Sequence, residues 1–497
     1  MNNNDFDIPQ RQSWRGLILF FSVSLKNIIK TIWPIAILFL FKQNSFDVNR
    51  LLYLYLFVGS IIILIAANTV LYFMNFYFYI SNNELIVEKG FLKKSKITIP
   101  LDKIQTINTK QNIMQQLLKV VTLEIDTAGS SKKEARFISL TKETANNLQS
   151  HLSKFAKNNS QQSELNEEFE LPQRKTILRL SVADLFKVGF SENHLKSLLV
   201  IYLFLSGIYQ QIRDIFRNAV DVASQQAGGF IENSGTIFIT IMVIISLLIL
   251  IAFSIFMVIL KYYDLNFSRQ DGAFIMKSGL LNKKDILIPY SKIQIITWSS
   301  NPIRKFMDFV SVHIIQASND NLNKKQAIII PGCNKVHLEN IHNEIFTNYQ
   351  TSEWTTHKSH PAFFIRLWII RILVLAIPLI LMIPEFWETY FFVGVWVVIS
   401  GFLSYISYTK RWLKITKKFM QISKGCVGQE FSMMFNYKIQ MIKFNQSIFQ
   451  KRRKTASISI YASGGKKLYI PYLQQDVAME LYNYLLYTTE SSHEKWM

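Results

Sequence analysis

Long apolar runs and short alternating segments succeed one another three times along the chain. LLYLYLFVGSIIILIAANTVLYFM (51–74) has no charged residue, TIFITIMVIISLLILIAFSIFMVIL (236–260) is equally clean, and WETYFFVGVWVVISGFLSYISY (387–408) carries aromatics at both ends. Runs of this length cross about 30 Å of hydrocarbon at roughly 1.5 Å per residue, and flanking aromatics suit the membrane interface. Each has a less regular apolar partner upstream: IWPIAILFLF (32–41), LKSLLVIYLFLSGIYQQI (195–212) and LWIIRILVLAIPLILMIP (367–384). The pattern predicts three transmembrane hairpins, six crossings in all. A buried core helix is the competing reading, and uninterrupted runs this long weigh against it.

Between the hairpins the period shortens to that of strands. In the first interval 77–81, 84–90, 96–100, 103–110, 121–129 and 135–140 are short, β-rich and separated by polar turns. The segment 141–157 then spaces its apolar residues as a helix does, after a capping Thr141. Strands at 310–318 and 327–331 precede a helix over 334–346, and strands at 456–465 and 467–471 precede one over 473–486. About seven strands closed by one C-terminal helix describe a bent β-sandwich, or an open barrel with a helical plug.

One segment opens every interval. GFLKKSKITIPLDKIQTI (90–107) and GLLNKKDILIPYSKIQII (279–296) align without a gap and agree at 10 of 18 positions. GCVGQEFSMMFNYKIQMI (425–442) keeps the leading Gly, the Lys-Ile-Gln and the final Ile. Gly90, Gly279 and Gly425 are expected at a turn needing positive φ or no side chain, and the alternating isoleucines should face a core. The repeat reads chiefly as a folding signature, with a binding role for Lys-Ile-Gln as the alternative.

Charge orients the hairpins. The formal net charge is +21, yet the turns at 42–50, 213–235 and 385–388 hold four basic and six acidic residues. Basic residues collect on the cytoplasmic side, so the three soluble units are expected there. Lys261, Lys410, Arg411 and Lys414 at helix ends agree. The two cysteines, Cys333 and Cys426, fit neither a disulfide framework nor a thiolate metal site. No cleavable signal peptide is expected; the first crossing should act as its own insertion signal.

The turn Gly, two basic positions, Ile-x-Ile-Pro, Lys-Ile-Gln and a later strand ending Ala-Gly or Ala-Ser together resemble the bacterial pleckstrin-homology-like domain of type 2. The residues are Gly90, Ile97, Ile99, Pro100, Lys103, Ile104, Gln105, Ala128 and Gly129, then Gly279, Ile286, Ile288, Pro289, Lys292, Ile293, Gln294 and Ala317. The third copy departs, with Phe435 in place of the Pro and a loop one residue shorter before Ala462. The whole arrangement resembles the YdbS/YdbT-like bacterial membrane proteins. That resemblance implies an α+β membrane protein in which each of three hairpins precedes a cytoplasmic PH-like β-sandwich or barrel with a C-terminal helix. It also implies a partner, a small membrane protein with one such domain. The expected boundaries are an interfacial amphipathic helix at 1–30, hairpins at 31–74, 194–260 and 363–409, and PH-like domains at 75–157, 261–347 and 410–487. A polar linker (158–176), a second interfacial helix (177–193), a linker (348–362) and a tail (488–497) complete the chain.

No catalytic constellation emerges. His337 and His342 lie five apart on an expected helix, about 500° of rotation, and so do not share a face. His357 and His360 sit in a linker without acidic or Cys companions, and no nucleotide-binding, hydrolase or metalloprotease motif stands in a suitable setting. No catalysis, cofactor or metal is expected. Basic residues do recur close to the hairpins: Lys93, Lys94, Lys96, Lys283 and Lys284 after the repeat's Gly, Lys417 and Lys418 beyond the last crossing, and the run Lys451, Arg452, Arg453, Lys454. They can contact anionic headgroups, at on the order of 1 kcal/mol per residue, or form a solvated face that sets topology. Nucleic acid is not expected, because the densest run lacks interleaved aromatics. Lys26, Lys30, Arg366 and Arg371 lie inside apolar stretches, where they either snorkel or pair with a lipid phosphate or a partner's acid. Three classes of function remain: a membrane scaffold whose domains bind proteins or headgroups, a lipid-handling or transport protein with regulatory domains, and an enzyme. The sequence favours the first.

Overall fold

The computed structural model describes residues 6–41, 48–91, 94–127, 135–158, 174–192, 228–270, 272–317, 327–347, 353–382, 387–463, 465–492 and 494. The predicted crossing at 195–212, most of the linker at 158–176, Lys93, and Ala128 with Gly129 lie outside them.

In chain order the first module contains helices α1 (Gly16–Phe41) and α2 (Val48–Met74), then strands β1 (Tyr77–Ser81), β2 (Glu84–Lys89), β3 (Ser95–Pro100) and β4 (Ile104–Gln111). A one-turn helix α3 (Ile113–Leu117), β5 (Val120–Thr127), β6 (Ala135–Thr141) and α4 (Lys142–Asn158) close it. The second holds β7 (Lys175–Arg179), α5 (Val182–Phe190), α6 (Gly228–Tyr262), β8 (Asn266–Gln270), β9 (Ala273–Ser278), β10 (Lys283–Pro289) and β11 (Ile293–Ser300). It ends with α7 (Pro302–Phe306), β12 (Val310–Gln316), β13 (Ile328–Cys333) and α8 (Lys335–Ile345). The third holds β14 (Thr355–Lys358), α9 (Ala362–Met382), α10 (Trp387–Thr409), β15 (Trp412–Ile415), β16 (Phe419–Lys424), β17 (Gln429–Phe435) and β18 (Ile439–Asn445). Then come α11 (Ile448–Arg452), β19 (Thr455–Ala462), β20 (Lys467–Gln474) and α12 (Gln475–Glu490).

The chain divides into two compact units, Met1–Lys175 with Arg269–Pro289, and Thr176–Ser268 with Tyr290–Met497. In the first, β1, β2 and β3 form one antiparallel sheet, and β6, β5, β4, β10 and β9 lie side by side in another. Alternate residues turn Phe78, Leu85, Ile99, Leu123, Ile125 and Phe137 into a core that α4 closes with Leu148 and Leu152. Each such fully buried side chain stabilises by about 1.5–3 kcal/mol. In the second unit the order is β13-β12-β11-β17-β16-β15-β14, beside a sheet β18-β19-β20. Its core brings Ile295 together with Leu413, Ile422, Ile458 and Ile470 under Leu481 and Leu485 of α12. The unit boundary thus does not follow the modules. It leaves the second module's β9 and β10 with the first module, because β10 pairs with β4.

Several expectations change. The predicted interfacial helix at 1–30 and the crossing after it are one continuous helix, α1, because nothing between Trp14 and Phe41 stops a helix except Pro34, which membrane helices tolerate. The second interfacial helix, 177–193, begins instead as strand β7. KTILR alternates, and Ser181 starts a helix at Val182 through a reciprocal capping box with Asp184. The expected linker at 348–362 contains β14, paired with β15 from Thr355↔Ile415 to Lys358↔Trp412. Thus the third hairpin interrupts a sheet between its first two strands. Among the described residues Tyr390–Thr409 is the helical stretch long and apolar enough to cross a membrane; shorter apolar stretches run Gly16–Lys26, Gly59–Met74 and Leu247–Tyr262. Lys26 and Lys30 break the apolarity of α1, as Arg366 and Arg371 break that of α9. The repeat glycines behave as expected: Gly90, Gly279 and Gly425 have φ of 98°, 103° and 154°. A Cβ at Gly425 would collide with the Gly428 carbonyl oxygen.

Candidate functional site

The repeated segment is where one module meets the next. In the first unit its Lys-Ile-Gln strand β4 pairs with β10, the Ile-x-Ile-Pro strand of the following copy, as Gln111↔Lys283, Lys110↔Lys284 and Thr109↔Asp285. The Leu287 amide donates to Asn108 Oδ1 at 3.0 Å, and Gln116 Nε2 donates to the carbonyls of Leu280 and Leu281 at 2.8 and 3.0 Å. In the second unit β11 pairs with β17 from Ile296↔Met433 to Ser300↔Gln429. Trp298 stacks on Phe431 with ring centroids 5.4 Å apart, and the Thr297 and Ser432 hydroxyls bond at 3.0 Å. The two joints share one register: the residue twenty-one past one copy's glycine, Gln111 or Ser300, faces the residue four past the next, Lys283 or Gln429.

The lysine of Lys-Ile-Gln follows this geometry. Lys438 Nζ donates to the Ser291 and Ile293 carbonyls of the preceding copy at 2.8 and 2.7 Å. Burial pushes it down to about 8, against the pull of Glu494. Lys292 is buried too, whereas Lys103, in the first copy, is exposed. Nearby, Lys466 Nζ donates to Thr297 Oγ1 at 2.6 Å and pairs with Glu430 at 3.3 Å, and Lys424 pairs with Glu430 at 3.1 Å. Burial alone would raise the Glu430 carboxyl, but Lys466 and Lys424 outweigh it and hold it below its usual range. The motif's strand and lysine therefore serve the fold, joining one copy to its neighbour within the chain.

A second repeated feature follows each Lys-Ile-Gln strand. Asn112, Asn301 and Ser447 cap the one-turn helices α3, α7 and α11, and the residue three later turns inward. Gln115 Nε2 donates to Thr122 Oγ1 at 2.6 Å and to the Ile138 carbonyl at 2.8 Å; Gln450 Nε2 donates to Ser457 Oγ at 2.6 Å. Arg304 occupies the same place and reaches Ser191 Oγ at 3.2 Å and Glu192 at 3.0 Å. Other faces of these turns are apolar and exposed: Leu117 at 78%, Phe306 at 90% and Phe449 at 74%. Each turn lies beside the segment that leads into its hairpin. Arg15 Nη1 donates to the Leu118 carbonyl at 3.4 Å, and Asn301 Nδ2 donates to the Ser191 carbonyl at 2.7 Å. In the third module Ser457 Oγ, which Gln450 bonds, also accepts from the Tyr472 amide at 3.2 Å, and Tyr472 packs against Phe363 at the start of α9.

The bacterial PH domain family, bPH_2, matches residues 33–156, 223–348 and 368–489, three segments that together cover well over half of the chain. The chain belongs to the bacterial PH domain family. Among curated proteins, UPF0699 transmembrane protein YdbT of Bacillus subtilis (strain 168) is 23% identical to it over 443 residues, 88% of each chain. The YdbS/YdbT-like resemblance therefore holds over nearly the full length, and the relative's name is that of a membrane protein.

On these three PH domains the expected basic residues fall at or beside separate elements, β3, β10 and α11. Lys94 and Lys96 are exposed, and Lys96 pairs with Glu88 at 3.3 Å, which raises its pKa. Lys283 and Lys284 are exposed at the first joint. Lys451, Arg452, Arg453 and Lys454 are exposed on and after α11, next to Phe449. Lys26 and Lys30 are exposed on α1. Arg366 lies over the Tyr472 ring at 5.6 Å. Arg371 donates to Ser404 Oγ at 2.9 Å, Ser407 Oγ at 3.0 Å and Cys426 Sγ at 3.6 Å, contacts supplied by α10 and by the repeat's own turn. A cavity of about 460 Å³ beside it is lined also by Arg411, Lys424 and Glu430. Of the histidines, His337 accepts from the Asn334 amide in a helix cap, and His342 is buried against Trp298. Sequence reasoning missed the one-turn helices, although Asn112-x-x-Gln115 and Ser447-x-x-Gln450 are legible capping boxes. It also left unread that the Lys-Ile-Gln strand pairs with the next copy. The signal was a lysine kept three times within a strand pattern that needs no charge.

Proposed function

We propose that the chain is a non-catalytic scaffold of the bacterial inner membrane, holding its PH-like domains in fixed register against the cytoplasmic surface so that they capture protein partners. The observation that carries this reading is the pair of joints built in one register from the repeated segment, which spends the most regular part of the sequence on fixing domain to domain. In this reading three hairpins make six crossings, and the excess of basic residues outside the short turns sets the cytoplasmic side. The apolar turns α3, α7 and α11 dip into the headgroup layer beside the hairpins they adjoin. Lys451, Arg452, Arg453 and Lys454 then meet anionic lipid at on the order of 1 kcal/mol each. The test isolates the full chain in native nanodiscs and measures the co-isolated proteins and lipids by mass spectrometry. It is compared with a variant carrying Lys451→Gln, Arg452→Gln, Arg453→Gln and Lys454→Gln. A stoichiometric protein partner present in both samples supports the scaffold. A single enriched anionic lipid that disappears from the variant, with no such partner, replaces it with a lipid-handling role.

A further inference from the structure

The joint is made twice within the chain, and among the described residues each of its halves also occurs once at a sheet edge. β10 and β17 are each covered by the Lys-Ile-Gln strand before them, but β3, the same strand of the first copy, ends its sheet among the described residues. β4 and β11 are each covered by the strand of the next copy, but β18 ends its sheet likewise. Exposure follows. Ile295 is fully buried and Met441, at the same motif position, is 42% exposed; Met433 is fully buried and its counterpart Thr98 is exposed.

We propose that β18 of one copy of this protein pairs with β3 of a second copy, continuing the internal joint from chain to chain. The occupant is a second copy because the chain itself carries both halves of a joint that it already builds twice in a single register. That register specifies the contact: Ile442 faces Thr98, Phe444 faces Lys96, and Asn445 faces Ser95. No basic residue of one strand then stands opposite a basic residue of the other. Lys103, exposed in a single copy, falls where Lys438 falls at the internal joint and donates to the Tyr437 and Ile439 carbonyls of the neighbouring copy. Lys and Pro on an edge commonly guard against such pairing. Here β10 carries Lys283, Lys284 and Pro289 and is paired all the same. Contact of this kind is head to tail, so it closes into a ring or runs on as a filament in the membrane plane. The inference concerns how copies join and does not depend on what the assembly captures.

Disulfide trapping in membranes tests it. Two tagged full-length copies are co-expressed, one with Asn445→Cys and the other with Ser95→Cys. Facing residues of antiparallel strands lie about 4.5–5.5 Å apart at Cα, within disulfide reach. The expected result is an inter-chain band carrying both tags, reduced several-fold by Lys103→Met and absent when Asn445→Cys is combined with the out-of-register Thr98→Cys. A chain bearing both Asn445→Cys and Ser95→Cys should give multiples of its mass. The proposal is overturned if variants that insert and unfold like the unsubstituted protein give no in-register band, or if the out-of-register pair cross-links equally well. It is overturned too if the doubly substituted chain closes only on itself. Protection of β18 from hydrogen exchange without any cross-link assigns that edge to a different chain and has the same consequence.

Discussion

β11 and β18 are the same motif strand in the second and third modules, and they live in different surroundings. β11 lies between β12 and β17, with every residue from Ile293 to Trp298 buried. β18 lies beside β19, with Gln440, Met441, Lys443 and Asn445 exposed. Their sequences have followed the difference, since Thr297 and Trp298 of the covered strand correspond to Lys443 and Phe444 of the open one. The strand's own pattern sets its pleat and its inward face. Whether its edge is buried depends on whether another copy pairs with it, so a repeated motif can be covered at a joint in one place and, among the described residues, stand at a sheet edge in another.

The largest effect should separate these two strands. Trp298→Ala removes a ring packed on Phe431 and His342 and should cost about 3–5 kcal/mol, read by denaturant unfolding in detergent. Phe444→Ala, at the same motif position but half-buried, should cost clearly less. Equal losses would mean that the joint does not stabilise the strand it covers. Next is acid sensitivity. His342 packs between Trp298 and Phe346, and burial lowers it from 6.5 to about 4. Because its folded pKa lies below the unfolded one, the unfolded chain binds the extra proton as pH falls from 6.5 to 4, and stability is lost across that window. The loss should approach 3 kcal/mol on the order-of-magnitude scale of about 1.36 kcal/mol per unit, and His342→Phe should flatten it. The smallest contrast uses the two ends of the lysine series. Lys438→Met removes two hydrogen bonds to the Ser291 and Ile293 carbonyls and should cost about 1.5–3 kcal/mol. Lys103→Met should leave the unfolding of an isolated copy unchanged while weakening the proposed contact between copies.

Much of the fold was legible because its physics is local. Alternation marked the strands from Tyr77 to Thr141, and helical spacing marked α4 and α12. The three glycines marked turns that need positive φ. Less was legible where a partner distant in sequence decides. TTHK at 355–358 has too little apolar character to declare a strand, and it becomes β14 by pairing with β15 across the hairpin. The helix expected over 177–193 overlaps the end of β7 (Lys175–Arg179), because its start belongs at Ser181, where the capping box with Asp184 forms. The groups that Arg371 reaches are not legible from its sequence position: Ser404 and Ser407 of α10 and Cys426 of the repeat's turn come to it only through the fold. The basic residues are legible one by one, but which of them lie beside an apolar turn depends on how α11 packs back on β19 through Gln450 and Ser457.

By itself the sequence determined the module: apolar hairpin segments, strands with a period of two, a capping helix, and a segment copied three times. These depend on side-chain volume, polarity and backbone preference within a few residues, which sequence carries directly. Tertiary structure alone decided that the copied segment joins modules, that the joints share one register, and that Lys438 is bound while Lys103 is exposed. The reason is that a strand edge has no identity of its own. Its amides and carbonyls are the same in every copy, and only the presence of a second strand turns them from solvated groups into a joint.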